Sequence, residues 1–252
     1  MKTFKVEKLD VTVANSRIEM GKYAADKCEQ YINELLQEKE YINMVFAAAP
    51  SQNEFLQSLL KRDIDFSRIN AFHMDEYVGL PSTHNQSFGY FLTEHIFGKD
   101  NFRSVNLINA TAPIEEACEQ YTRLLKEYPV DIVCMGIGEN GHIAFNDPPV
   151  ADFSDPYVIK KVELDEICRN QQVNDGCFAS IDLVPKYALT LTVPTLFGAT
   201  NIVCTVPAKT KAKAARRMLD GEISTECPAT ILRKHNNAHL FLDPDSASLL
   251  EE

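Results

Sequence analysis

His142 and Asp147 stand five residues apart, just past a run of glycines, in the stretch DIVCMGIGENGHIAFNDPP at 131–149. A histidine is the natural group for moving protons at neutral pH, and a carboxylate beside it orients the imidazole and stabilises its charged form. Two adjacent carboxylates, Asp75 and Glu76, end another apolar run, in HMDEYVGL at 73–80. On strand geometry these two point to opposite faces, so only one of them is expected to face a pocket. A carboxylate partly desolvated at a sheet edge has a raised pKa and can serve as a base towards a carbon acid. The two stretches together predict a proton-transfer site at one edge of a sheet.

Side chains of this kind need a frame. Apolar runs at 42–49, 68–73, 104–108, 130–136, 187–193, 201–206 and 238–242 read as strands. Between them, Ile114, Cys118, Tyr121 and Leu125 recur on one helix face, and Pro113 suits a first helical turn. Residues 15–38, 208–219 and 225–235 read as further helices. The alternation predicts one α/β domain over 1–252, with a largely parallel sheet flanked by helices. The least regular stretch, 146–185, is rich in Asp and Pro and follows the His142 loop, as a lid or a surface loop with a short helix would.

Composition narrows the partners. A chain of 252 residues with 45 % hydrophobic and 24 % charged residues buries a substantial core and reads as globular. No apolar run approaches a membrane span, and the N-terminus lacks a signal-peptide pattern, so a cytoplasmic location is expected. A net charge of −11 argues against nucleic acid and anionic membrane as partners, while one cationic pocket would still hold a small anion. The seven cysteines are scattered, odd in number and never spaced CxxC, so they read as reduced and structural, with no metal site. His235 and His239 form HxxxH, but the Asn236-Asn237 between them reads as an exit into a strand rather than a zinc-binding helix.

Gly136, Gly138 and Gly141 literally match GxGxxG. A dinucleotide fingerprint needs a helix running on from the third glycine, and here Pro148 and Pro149 follow closely. The glycines, Gly138 among them, are instead expected to wrap a small substrate and present His142.

HMDEYVGL, followed by His84 and Ser87, and MGIGENGHIAFNDPP together resemble the glucosamine-6-phosphate deaminase (isomerase) family. VPKYALTLTV at 184–193 and VPAKTKAKA at 206–214 extend the similarity in the same order, over roughly 42–243. The resemblance implies a Rossmann-like α/β fold, no metal or organic cofactor, and a small-molecule sugar phosphate as partner, with a homo-oligomer left open. It implies that His142 opens the sugar ring, supported by Asn140 and Asp147, and that Asp75 carries the C2 proton to C1. An enolamine then collapses to a ketose 6-phosphate and ammonia. Glucosamine 6-phosphate is the default substrate and galactosamine 6-phosphate the alternative.

The sequence also departs from that family. Many members have Asp in place of Asn140, and an amide can only orient its neighbours. Asp147 replaces the usual Glu, so either the histidine sits closer or the ring is held differently. The phosphate loop reads AAAPSQNEF at 47–55, without the usual glycines. Backbone N–H groups at Ser51, Gln52 and Asn53 are expected to cradle the anion, with side chains substituting for close backbone approach. Lys211 falls on the phosphate-binding lysine, Glu76 is a further candidate contact, and the arginine is displaced to Arg169 or Gln172. The basic residues tied to allosteric activation are poorly matched near 157–161, so none is predicted. Two other readings compete. A 6-phosphogluconolactonase would carry a Thr-Ala-Ser-Leu-Phe type run after the histidine, not Ile-Ala-Phe-Asn-Asp-Pro. A sugar-phosphate sensor would have lost Asp75 and His142.

Overall fold

The structure, a computed structural model, describes residues 1–174 and 176–250, with the side chain of Gln171 outside that description. The chain opens on an antiparallel hairpin, β1 (Lys2–Val6) and β2 (Leu9–Val13), which sequence patterning did not anticipate. Helix α1 (Arg17–Glu38) follows. Its start is written locally: Ser16 accepts the Glu19 N–H at 3.2 Å, and Glu19 reaches back to the Asn15 N–H at 3.1 Å. Then come β3 (Ile42–Phe46), α2 (Asn53–Leu59), β4 (Ile69–His73), β5 (Asp75–Tyr77) and α3 (Phe88–Leu92). The middle of the chain forms β6 (Ser104–Asn106), α4 (Ile114–Glu127), β7 (Ile132–Met135), β8 (Ile159–Glu163) and α5 (Glu166–Asn174). The last part adds β9 (Tyr187–Leu191), α6 (Val193–Phe197), β10 (Asn201–Val206), α7 (Ala212–Asp220) and β11 (Ala238–Leu242).

Eight strands form the main sheet in the order β1-β2-β11-β10-β7-β3-β4-β6. Every pairing in it is parallel except β1 with β2. All residues of β3, β7 and β10 are buried, which is why their sequences are continuous apolar runs rather than alternating ones. Their side chains divide between two cores. Met44, Phe46, Cys134 and Val203 pack beneath α1 and α2, while Val45, Val133, Met135 and Cys204 pack on the side of α4 and α7. From β3 the chain winds outward through β4 to β6, then returns to lay β7 on the other side of β3 and continues outward. The strand order therefore reverses between β3 and β7, where open α/β sheets place their ligand crevice, outside the carboxyl ends of the strands.

A second, three-stranded antiparallel sheet, β5-β9-β8, sits apart from the first. The expected strand at 187–193 belongs here, not to the parallel sheet. The expected helix at 225–235 is a 3₁₀ segment, Pro228–Lys234. The stretch 146–185, expected to be irregular, contains β8 and α5, and its residue Asp175 lies outside the described residues. Among the described residues the seven cysteines form no disulfide, and no helix is long and apolar enough to cross a membrane. The two histidines of HxxxH serve the frame. His235 bonds the Ala199 carbonyl at 2.9 Å, and His239 pairs with Thr12 at 2.8 Å and stacks on Phe241.

Candidate active site

The carboxyl ends of β3, β7 and β10 open into a cleft of about 230 Å³, lined by the loops at 47–52, 136–142 and 207–211. Met74 and the first residue of β5, Asp75, also line it, and the start of α3 adds Ser87 and Phe88. Its volume is below the roughly 300–1,000 Å³ of drug-sized ligand pockets, which suits one small molecule.

Both predicted proton-transfer groups line this cleft. His142 stands on the loop after β7, in a tight turn where Gly141 N–H donates to the Gly138 carbonyl at 3.0 Å. A methyl group on Gly138 would lie 2.1 Å from Cε1 of the His142 ring, so glycine is required for the imidazole to lie across the loop. Gly141 has φ +85°, a left-handed conformation that favours glycine, and a side chain there would also meet Cys227. The glycine pattern thus serves the packing of a histidine, and no helix runs on from Gly141.

Behind the ring, Nδ1 of His142 lies 2.8 Å from Oδ1 of Asp147. The approach is short but off the line of the N–H. Asn140 braces both partners: its Nδ2 donates to Asp147 at 2.8 Å, and its Oδ1 accepts the His142 backbone N–H at 3.0 Å. An aspartate therefore reaches the histidine without the extra methylene, and an amide orients it. Burial alone would raise the Asp147 pKa, but its contacts with His142, Asn140 and Cys168 more than offset this and hold it below the ordinary value. Asp147 and Asn140 both contact His142 and do not line the cleft.

The two carboxylates of β5 divide as strand geometry predicts. Asp75 faces the cleft while only 6 % exposed. Burial pushes its pKa well above the ordinary carboxylate value, and the neighbouring Glu76 charge pushes it further. Glu76 turns the other way, which corrects its expected role as a ligand contact. Its carboxylate accepts the N–H groups of Tyr77 and Phe88 at 3.0 Å each and of Gly89 at 2.9 Å, closing the start of α3. Burial raises its pKa too, against the pull of those three amides.

The expected anion contacts are corrected further. Ser51, Gln52, Gln172 and Lys211 line the cleft, but Asn53 and Arg169 do not. The N–H groups of Gln52 and Asn53 bond the carbonyls of Ala49 and Pro50, so they cannot form the predicted amide cradle. The Gln52 side chain is committed as well, accepting the Thr205 hydroxyl at 3.0 Å. Arg169 donates to the Ile181 and Val184 carbonyls at 2.6 and 3.0 Å, tying α5 to the following turn. One turn on, Gln172 is buried against the cleft, a neutral group at the place where the resemblance implied a cation.

Sequence reasoning missed Arg17, Thr210 and Phe145, all of which line the cleft. Nothing around Arg17 marks it, since it reads as an ordinary first-turn residue of α1. Thr210 and Phe145 lie beside residues the motifs had singled out, and adjacency was the only signal available.

Residues 15–151 match the family model described as glucosamine-6-phosphate isomerases/6-phosphogluconolactonase. A glucosamine-6-phosphate deaminase of Lactobacillus delbrueckii subsp. bulgaricus is 34 % identical over 244 residues, covering 96 % of this chain and 100 % of the relative. One from Bacillus cereus is 35 % identical over 222 residues, covering 88 % and 83 %. Among solved structures, a monomeric glucosamine-6-phosphate deaminase superposes with a TM-score of 0.87 at 30 % identity, covering 95 % of this chain and 99 % of the other. The 6-phosphogluconolactonase of Thermotoga maritima shares the fold, with a TM-score of 0.76 at 20 % identity over 94 % and 100 % of the two chains. A parallel sheet reversing between β3 and β7, a histidine packed on glycine, and relatives matched almost end to end lead to one conclusion: this chain belongs to the glucosamine-6-phosphate isomerase/6-phosphogluconolactonase family.

Proposed function

We propose that the cleft catalyses the deaminating isomerisation of a hexosamine 6-phosphate to a ketose 6-phosphate and ammonia. The observation that carries this reading is Asp75, a buried carboxylate with a raised pKa on the cleft wall, lining the same cavity as His142. His142 moves a proton between O1 and the ring oxygen to open the sugar, with Asp147 and Asn140 holding its orientation. Asp75 then takes the proton from C2, leaving an enolamine, and returns it to C1. The resulting C2 imine adds water and expels ammonia, which leaves the ketone. Ring opening and the C2-to-C1 shift are driven by proton transfer, for which a carboxylate and an imidazole suffice, and water supplies the oxygen that replaces the departing ammonia.

The 6-phosphogluconolactonase reading makes no use of a base towards a carbon acid, so a cleft-facing Asp75 favours the deaminase. Glucosamine 6-phosphate is the substrate we expect first, with galactosamine 6-phosphate as the competing epimer. We place the activity in the cytoplasm, in keeping with cysteines that form no disulfide among the described residues. The test is ammonia release by purified protein from each sugar phosphate, beside hydrolysis of 6-phosphogluconolactone. Ammonia from either epimer is the expected result. Lactone hydrolysis without ammonia would overturn the proposal, as would silence from a folded protein on all three.

A further inference from the structure

One arginine and one lysine line the cleft, Arg17 and Lys211. They arrive from distant parts of the chain, one on the first turn of α1 and the other at the end of the 3₁₀ turn Lys209–Lys211 after β10. The family resemblance places a second cation on the segment now seen as α5. There Arg169 is committed to backbone carbonyls and Gln172 is neutral, so α5 offers the cleft no cation at either position.

Arg17 is held for the task by the same loop that carries Ser51. Its Nη2 donates to the Pro50 carbonyl at 2.8 Å, and its Nε lies 2.8 Å from Oε1 of Glu54. Both contacts use Nε and Nη2, and no protein atom among the described residues bonds Nη1. The side chain is 37 % exposed, so the guanidinium is latched on one side and open on the other. Ser51 and Thr210 add hydroxyl groups to the same cleft. A guanidinium and an ammonium beside two hydroxyls make a site for a phosphate dianion, with the guanidinium able to give two parallel hydrogen bonds.

We propose that Arg17, from α1, supplies the second cation of the phosphate site, with Lys211, in place of the arginine that α5 lacks. This rests on the hexosamine 6-phosphate reading above. It also sets the substrate's direction, with the phosphate between Arg17 and Lys211 and the sugar's C1–C2 end toward Asp75 and His142.

Three variants test it, Arg17→Gln, Arg17→Lys and Glu54→Gln, by steady-state ammonia release and by calorimetric titration with inorganic phosphate. Arg17→Gln is expected to raise KM by about 10- to 100-fold, the loss of a charge-assisted contact, with kcat little changed. Its phosphate affinity should fall by a similar factor, and Arg17→Lys should recover part of both losses. Glu54→Gln loosens the latch but keeps the guanidinium, so its losses in KM and phosphate affinity should be clearly smaller than those of Arg17→Gln. If Glu54→Gln reproduces Arg17→Gln, Arg17 only braces the loop and the proposal fails. Equal phosphate binding by wild type and Arg17→Gln, or none by either, also overturns it. The titration needs no turnover. A wild type that releases no ammonia but loses phosphate affinity on Arg17→Gln would therefore sink the deaminase reading and spare the phosphate site.

Discussion

The two sheets feed the same cleft by different means. In the large sheet the strands β3, β7 and β10 are wholly buried, and the groups facing the cleft stand beyond them, on loops. In the small sheet Asp75 is itself a strand residue, paired opposite Thr190 of β9. The histidine's place is therefore decided by side-chain packing on a turn, and the aspartate's by backbone pairing. Alternation along a strand separates Asp75 from Glu76 at no extra cost, so one becomes a cleft group and the other a helix brace. A loop has no such alternation, and His142 needs glycine, amide and carboxylate around it to hold one pose.

The sharpest contrast lies within β5. Asp75→Asn is expected to lower kcat by about 10²- to 10⁴-fold, the range for a lost general base, while binding of an unreactive open-chain hexitol 6-phosphate is kept. Glu76→Gln should destabilise the fold instead and leave the residual enzyme active. Parallel losses of binding and rate in Asp75→Asn would break the distinction. On the loop side, Gly138→Ala drives a methyl group into the imidazole and should cost on the order of 10² in kcat, the scale of an ångström's misplacement. An unimpaired Gly138→Ala enzyme would mean that the ring's pose does not matter.

The two aspartates should also respond to pH with opposite sign. The folded pKa of Asp75 lies above its unfolded value, so stability falls as pH rises between the two. Asp75→Asn should then raise Tm at pH 7, by about 2–4 °C per kcal/mol relieved, with the gain fading towards pH ~4. The folded pKa of Asp147 lies below its unfolded value, so its contribution is present above the unfolded pKa and is lost as pH falls through the folded one. Asp147→Asn should therefore lower Tm at pH 7. Thermal melts of both variants at pH 7 and pH 4 decide the matter, and shifts of the same sign at pH 7 would contradict it. The smallest effect is expected where the loop after β7 meets β9. Thr190→Val removes the hydroxyl that accepts the Phe145 N–H at 3.1 Å and should cost about 1–3 kcal/mol in a urea melt with kcat nearly unchanged.

Much of the large sheet was legible because burial on both faces leaves continuous apolar runs, and the 114–127 helix was read to its end residues from one apolar stripe. The β1–β2 hairpin was not, and of the small sheet only β9 was read as a strand, without its partners. β5 spans only three residues, and β8 reads IKKVE, with too little apolar content to stand out. At the site, His142, Asp75 and Lys211 announced themselves by motif, as did the partnership of His142 with Asp147. Asn53 was read as an amide of the anion cradle where a turn leads into a helix, and Arg169 as a displaced counterpart of the phosphate-binding arginine that the resemblance implies. The Asn53 N–H and the Arg169 Nη2 turned out to be bonded to backbone carbonyls, and no local pattern records such a commitment.

What the sequence determined by itself is therefore what local rules encode: which runs are buried, which strand residue faces which way, and that a histidine follows glycines it can pack against. Only the tertiary structure decided which charges meet. Arg17 lies far from Ser51, Thr210 and Lys211 along the chain, and they share a cleft because β3 and β10 flank β7 at the reversal of the sheet while α1 packs on α2. Coulombic and hydrogen-bond energies depend on distance in space, and separation along the chain does not fix that distance until the fold has closed.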